Sequence, residues 1–382
     1  MFVLDDFYVS DEVLDYLENS QEPVFDNAAA RSCSQGRSLN MQSQPLSPEE
    51  RICALSEIHL EDIKRFAHED TVRGIELFKD KAACRRALTP LFPHYVFEEY
   101  NLESLQAQNP ESVKYPVVIK PATGFFSVGI YPVFTEEQWR AAVADIAASS
   151  SAWHEGYSKS VVNDASFLVE SYIDGEEYAI DAYFDAEGHP VVLNILRHDF
   201  AGNDDVSDRL YYTSKTILTE NMCAVRAFLE AANQEFKLRN FPFHVEVRIN
   251  ESDGIVPIEF NPLRFAGLCT TDVAYFAYGF KTYACFFEDK RPDWESILSQ
   301  KDDELYTMIL LTKPGFEANR AYSFNYDALA AHFQKVLALR KTDFKKLNTF
   351  GMLFTETPMS KWNQEIEPIL SSSLDEYISL TS

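Results

Sequence analysis

The chain has 382 residues, 46% hydrophobic and 25% charged, which suits two or three domains around a shared core and excludes a disordered protein. Its formal net charge of −26 excludes a broad basic surface for nucleic acid or an anionic membrane, so any phosphate handled here must be met by local cations. The six cysteines (Cys33, Cys53, Cys84, Cys223, Cys269 and Cys285) form no CxxC pair or zinc spacing and read as free thiols in a reduced compartment.

The chain opens on MFVLDDFYVSDEVLDYLENS, which is acidic and has no basic region followed by an apolar run, so a cytoplasmic protein is expected. No stretch reaches the ~18 uninterrupted apolar residues of a membrane helix. A helix is predicted near Asp11–Leu17 with Ser10 as its cap, at the edge of a small α/β unit. Residues 27–50 turn polar and read as a loop or connection, and helical periodicity returns over Pro48–Ala67 and Val72–Leu88.

Strand patterns then follow at Tyr115–Ile119, Phe167–Tyr172, Tyr178–Phe184 and Pro190–Ile195, with helices near Glu136–Ala148 and Asn221–Lys237. This order predicts an α+β class with strands covered on one side by helices. Past Pro292 a strand (Leu305–Thr312), a helix (Tyr326–Leu339) and a strand (Phe350–Thr355) suggest a C-terminal lobe.

The segment FHVEVRINESDGIVPIEFNPLRFAG, Phe243–Gly267, reads as a hairpin turning on Ser252, Asp253 and Gly254. Counting outward from Asn250 opposite Ile255 pairs Arg248 with Pro257, Glu246 with Glu259 and His244 with Asn261. One face then carries these polar residues, and the other carries Val245, Val247, Ile249, Val256, Ile258 and Phe260. Carboxylates opposed across a ladder repel unless a cation lies between them. That cation is either Arg248, in a surface salt-bridge cluster, or Mg²⁺, which takes one or two carboxylates and shares its shell with substrate phosphates. The hairpin alone leaves both open.

Two further segments carry chemistry. Lys120 ends the strand YPVVIK ahead of the small-residue loop PATGFFSVGI, where an ammonium and backbone N–H groups can meet a phosphate, or where an ordinary turn carries a solvated lysine. FLVESYIDGEEYAID places backbone polar groups where a flat ring could lie and Glu177 where a ribose diol could donate, or is a hairpin with a charged turn. His198 and His244 read as hydrogen-bonded structural partners.

Taken together, a lysine in FKDKAACR, Lys120 before its loop, the acidic hinge and a Glu…Glu-x-Asn hairpin resemble the ATP-grasp superfamily, over roughly Phe78–Gly267. The RFAG that ends the hairpin looks like the amino-acid ligase branch. The resemblance implies an ATP-grasp core over 96–290, a small N-terminal α/β domain over 1–95 and a C-terminal lobe over 291–382. It implies that Lys81 meets the α-phosphate, and that Lys120 with the loop residues Thr123, Gly124, Ser127 and Gly129 meets the β- and γ-phosphates. Glu170, Ser171, Tyr172 and Ile173 would line the adenine, Glu177 would hold the ribose, and Glu246, Glu259 and Asn261 would hold Mg²⁺, or Mn²⁺ in its place. In many members an arginine directly follows Glu-x-Asn-Pro, whereas here Leu263 precedes Arg264, with Arg248 and Arg197 as reserve candidates.

The resemblance further implies ATP-dependent conversion of a substrate carboxylate to an acyl phosphate, followed by attack of an amine. The partners would be small-molecule carboxylates and amines, without nucleic acid or membrane, and the assembly a homodimer. A phosphotransferase on the same fold and a non-catalytic ATP-binding regulatory protein are the alternatives. Substrate choice is expected from the N-terminal region, the stretch 153–165, the C-terminal lobe and HDFAGNDDVSDRLYY, which would serve as a lid.

Overall fold

The computed structural model describes the chain except residues 46, 48–49, 123–128, 157–165, 203–204, 206, 314, 318–319 and 382, with residues 149–156 described by backbone alone. Three sheets hold the site. The first is parallel, in the spatial order Met41–Gln42, Val24–Phe25, Phe2–Val3, Cys53–Ala54. The chain moves outward in one direction from its central strand Phe2–Val3 and then returns to pair Cys53–Ala54 on the other side. That reversal opens a crevice at the carboxyl ends of these two strands.

The second sheet is antiparallel, in the order Phe97–Tyr100, Phe167–Ser171, Val117–Pro121, Tyr131–Val133. Trp139 of the helix Glu136–Gly156 packs with Ile119, Val133 and Phe167 beneath it. The third has eight antiparallel strands: Gly254–Pro262, Phe241–Asn250, Glu176–Phe184, Pro190–His198, Leu210–Thr213, Glu304–Thr312, Thr349–Pro358 and Val336–Lys341. The helix Lys215–Phe236, capped by Ser214, covers one face with Val225, Leu229 and Phe236 buried.

Close approach fixes the helix Glu69–Lys79 against this sheet, because a Cβ on Gly74 would come within 2.5 Å of Phe241 Cε2. Phe78, 1% exposed, then wedges among Phe236, Phe241, Phe243 and Phe260 at centroid distances of 4.8–6.1 Å. Removing so large a buried ring costs about 3–5 kcal/mol.

The α+β class and the Ser10-capped helix, here Asp11–Ser20, agree with the sequence reading. Other elements differ for physical reasons. Asn27 caps a helix, Ala28–Cys33, inside the polar stretch expected as a loop. Where a helix over Pro48–Ala67 was expected, Cys53–Ala54 is a strand drawn in by pairing with Phe2–Val3, and among the described residues only Leu60–Ile63 is helical. Asp80, at φ −90° and ψ 97°, divides the predicted Val72–Leu88 helix by capping a new one, Lys81–Leu88. The expected helix Tyr326–Leu339 stops at Ala331, and Val336–Lys341 becomes an edge strand on Thr349–Pro358. Three C-terminal strands, Glu304–Thr312, Val336–Lys341 and Thr349–Pro358, thus extend the eight-stranded sheet, while Ala321–Phe324 and Ile378–Thr381 pair separately.

Candidate active site

The break at Asp80 puts Lys81 at the start of a helix. Asp80 Oδ1 accepts from Ala83 N at 2.9 Å, and Lys81 N donates to Ala122 O at 3.1 Å, fastening the helix start to the end of the Lys120 strand. Lys81 Nζ lies 2.7 Å from Glu259 Oε1. Burial would lower the Lys81 pKa, but Glu259, with Glu57 and Glu246 beyond it, outweighs burial and raises it.

On the hairpin, Glu246 faces Glu259 and His244 faces Asn261, as the count from the turn predicts. Nearer the turn the register differs: Asn250 faces Gly254, Arg248 faces Val256 and Val247 faces Pro257. A β-bulge leaves Ile258 as an extra residue, which moves Val256 to the Arg248 face and turns Ile258 to the cavity. The backbone carbonyls of the bulge, Pro257 O and Ile258 O, accept from Arg85, which also donates through Nε to Glu170 Oε2 at 3.0 Å.

Arg248 does not neutralise the carboxylate pair. Its guanidinium donates to Glu177 Oε2 at 3.2 Å and Ile173 O at 2.7 Å and lies over the Tyr172 ring, so the surface-cluster reading fails. Glu246 is instead held above the usual carboxylate range, chiefly by burial with Glu259 and Glu177 adding to it, against the opposing pull of His244. Such a carboxylate gains from a further cation. Among the described residues no three His, Cys, Asp or Glu side chains gather into a metal cage. Two carboxylates and the Asn261 amide, all lining one cavity, nevertheless match the partial shell that Mg²⁺ takes from protein when waters and phosphates complete it.

The cavity holds about 1300 Å³, beyond the ~300–1,000 Å³ usual for a single small ligand. Lys120 and Glu170–Ile173 line one part of it, and Glu177 lies beside them. The Glu170 carboxylate turns away from any ring-binding role toward Lys120 and Arg85, both buried. Burial would raise Glu170, yet these two cations hold it down to about 2, while burial, Arg85 and Lys81 push Lys120 below its ordinary value against Glu170. Glu177 Oε1 is 2.9 Å from His198 Nδ1, so its carboxylate is already held by that imidazole and by the Arg248 guanidinium. Gly129, at φ 75°, is described, whereas Thr123, Gly124 and Ser127 lie outside the described residues. Arg197 pairs with Glu176 and Asp199 and does not line the cavity.

At the other end, Leu263 adopts φ 58° with its side chain 1% exposed and its carbonyl accepting from Ala54 N at 2.7 Å. The inserted residue thus serves as a turn that links the hairpin to the parallel sheet and brings Arg264 to the cavity wall. Arg264 Nε donates to Glu57 Oε1 at 3.0 Å, and Lys79 takes the other oxygen.

The sequence signature of the ATP-grasp domain matches residues 113–272. Over those residues the chain is similar to the ATP-grasp family. No curated protein matches it in sequence. Among solved structures it resembles an L-amino acid ligase from Bacillus licheniformis at a TM-score of 0.65 and 13% identity, covering 100% of this chain and 98% of that one. An N5-carboxyaminoimidazole synthase from Aspergillus clavatus, in complex with ADP and its aminoimidazole ribonucleotide, aligns at 0.61 and 12%, covering 98% of each chain. The biotin carboxylase domain of a 2-oxoglutarate carboxylase from Hydrogenobacter thermophilus aligns at 0.61 and 14%, covering 100% and 91%. At these identities the likeness is one of fold.

Three residues of the site, Arg85, Glu57 and Asp181, carry no signal that sequence spacing could expose. Arg85 and Glu57 act through partners more than 80 residues away. Asp181, fully buried, accepts from His244 Nδ1 at 2.9 Å, Ala266 N at 2.8 Å and Thr271 Oγ1 at 2.6 Å, and so orients the histidine 3.7 Å from Glu246. His198 was expected to be a structural partner, and its stacking on Tyr211 at 4.1 Å agrees. Phe200, Gly202, Asp205 and Asp208 of the expected lid line the cavity, and its residues 203, 204 and 206 lie outside the described residues.

Proposed function

We propose that this chain is an ATP- and Mg²⁺-dependent ligase that activates a substrate carboxylate as an acyl phosphate and joins it to an amine. The observation that carries this reading is the opposed pair Glu246 and Glu259 with Asn261, lining the same cavity as Lys120 and Arg264. The cavity's volume suits a nucleotide together with co-substrates.

In this reading Glu246, Glu259 and Asn261 hold the metal, which when bound screens the charge of the β- and γ-phosphates. Lys81 and Lys120 offer ammonium groups to the phosphate chain, and backbone of Glu170–Ile173 lines the base. Glu177, braced by His198 and Arg248, faces the ribose. A carboxylate resists nucleophiles because it is resonance-stabilised and anionic. Its oxygen attacks the γ-phosphorus, the bond to ADP breaks, and the acyl phosphate forms. The amine nitrogen then bonds to the acyl carbon, inorganic phosphate leaves, and the amine releases a proton. Arg264, whose guanidinium lies at the far end of the cavity, is the cation for the carboxylate and its acyl phosphate, with Arg248 held at the hinge. Charge and positioning supply most of the catalysis. We assign nucleotide handling to residues 96–290 together with Lys81, with the rest of 1–95 and 291–382 completing the co-substrate walls.

ADP release from Mg-ATP, assayed against pools of amino acids, dipeptides and small carboxylic acids, tests the reading when the parent is compared with Glu259→Gln. A ligase releases phosphate only when both co-substrates are present, and its product mass reports a new amide. A stable phosphorylated product would mean a phosphotransferase. ATP binding without ADP release in any pool would mean a regulatory protein.

A further inference from the structure

The end of the cavity away from the hinge coincides with the crevice of the parallel sheet. Asp5 and Phe7 follow the strand Phe2–Val3, Leu55, Ser56 and Glu57 follow Cys53–Ala54, and all five line the cavity. These are the carboxyl ends of the two strands between which the connection reverses, the place where open α/β sheets receive ligands.

Three buried carboxylates line this end, and two have cations. Glu57 is paired by Lys79 and Arg264, and Asp272 by Arg340 at 2.7 Å. Asp5, 5% exposed, forms no ion pair among the described residues and accepts only from Phe7 N at 3.0 Å and the Ser56 hydroxyl. Burial raises its pKa despite those bonds. A buried carboxylate with spare lone pairs beside open space is costly unless a ligand supplies a donor. A second residue of this wall points the same way: Tyr283, 2% exposed, has a hydroxyl with no hydrogen-bond partner among the described residues.

We propose that the strand-end crevice is a subsite for an amino acid bound as a zwitterion, its ammonium donating to Asp5 and its carboxylate directed toward Arg264. The assignment rests on the ligase reading only in taking this amino acid as the carboxylate substrate. The amine that attacks an acyl phosphate must be neutral, so the ammonium held on Asp5 belongs to the carboxylate donor and not to the nucleophile. Glu57, bonded to Arg264, stands at the neighbouring strand end and keeps the two recognition charges apart.

The test is calorimetric binding to the full chain with Mg-ADP present, using each amino acid against the 2-hydroxy acid and the unsubstituted acid of the same skeleton, such as alanine against lactate and propionate. The parent is expected to prefer at least one amino acid over both analogues by about tenfold or more, since a site built to bond a polar group rejects analogues that lack it. Asp5→Asn, which preserves shape, is expected to abolish that preference while Mg-ADP affinity stays within about twofold. Equal binding of the analogues to the parent overturns the assignment, as does a preference that survives in Asp5→Asn or a failure of every amino acid to bind at millimolar concentration. The parent comparison decides the matter if Asp5→Asn does not fold. An amino acid that binds through Asp5 yet supports no ADP release with any amine would remove the ligase reading and leave the subsite standing.

Discussion

Lys81 Nζ lies 2.7 Å from Glu259 Oε1, joining the start of a helix to a hairpin 178 residues later. The contact offsets one charge of a carboxylate pair that is otherwise set face to face. Lys81→Met should therefore destabilise the chain by roughly 3–5 kcal/mol, the usual cost of removing one partner of a buried ion pair. Mg²⁺ should restore part of that loss, raising the melting temperature of Lys81→Met more than that of the parent. Thermal unfolding with and without Mg²⁺ checks this, and a metal-independent melting temperature in both proteins would sink the metal assignment.

Acid should unfold this protein over a window set by two internal carboxylates. Glu57 and Glu170 are each held down to about 2 from an ordinary 4.5, because their paired cations outweigh a burial that alone would raise them. A depressed carboxyl stabilises the fold fully above its unfolded value and loses that contribution as the pH falls through the folded one. Each should contribute on the order of 3 kcal/mol at neutral pH, lost between about 4.5 and 2. Urea unfolding at pH 5 and pH 3 measures the loss, and in Glu57→Gln the difference between the two should shrink.

The site was legible where its logic is local. The pairing of Glu246 with Glu259 and of His244 with Asn261 follows from period-2 alternation across a short turn, and the structure keeps it. The bulge at Ile258 escaped the count because nothing in GIVPIEFNP marks which carbonyls Arg85 will bind. The strands Cys53–Ala54 and Val336–Lys341 escaped for a related reason: each is fixed by a partner strand elsewhere in the chain, which overrides a local pattern that reads as helix. Asp80 was the reverse case. A capping residue inside a periodic run was the available signal for the break that positions Lys81.

Arg340 ties the C-terminal strands to the rest of the molecule, donating to Asp272 Oδ2 and Glu12 Oε2 at 2.7 Å each. Asp272 is 3% exposed and held above its ordinary range, chiefly by burial. Arg340→Ala would leave that carboxylate without its cation, at a cost of about 3–5 kcal/mol. Arg340→Ala with Asp272→Asn should recover part of it, because the buried charge is then gone. Chemical denaturation of the two single variants and the double variant reads the coupling directly.

His198 gives the upper limit of the pH range. Burial would lower its pKa, but its bond to Glu177 with Asp208 and Glu246 nearby raises it above 6.5, while the same contact and Arg248 hold Glu177 below its ordinary range against burial. A histidine raised by a partner adds stability that is complete below its unfolded value and disappears as the pH climbs through the folded one. The parent should thus lose stability from about pH 6.5 upward as the ion pair becomes a neutral hydrogen bond. His198→Gln keeps a polar group beside Glu177 but cannot titrate, so its stability should vary less over the same range. Urea midpoints at pH 6 and pH 8.5 distinguish them, and an equal decline in both proteins would place the titrating group elsewhere. Glu177 lines the cavity, and under the proposed function it faces the nucleotide, so nucleotide affinity should shift with the same pH dependence in the parent and be flatter in His198→Gln.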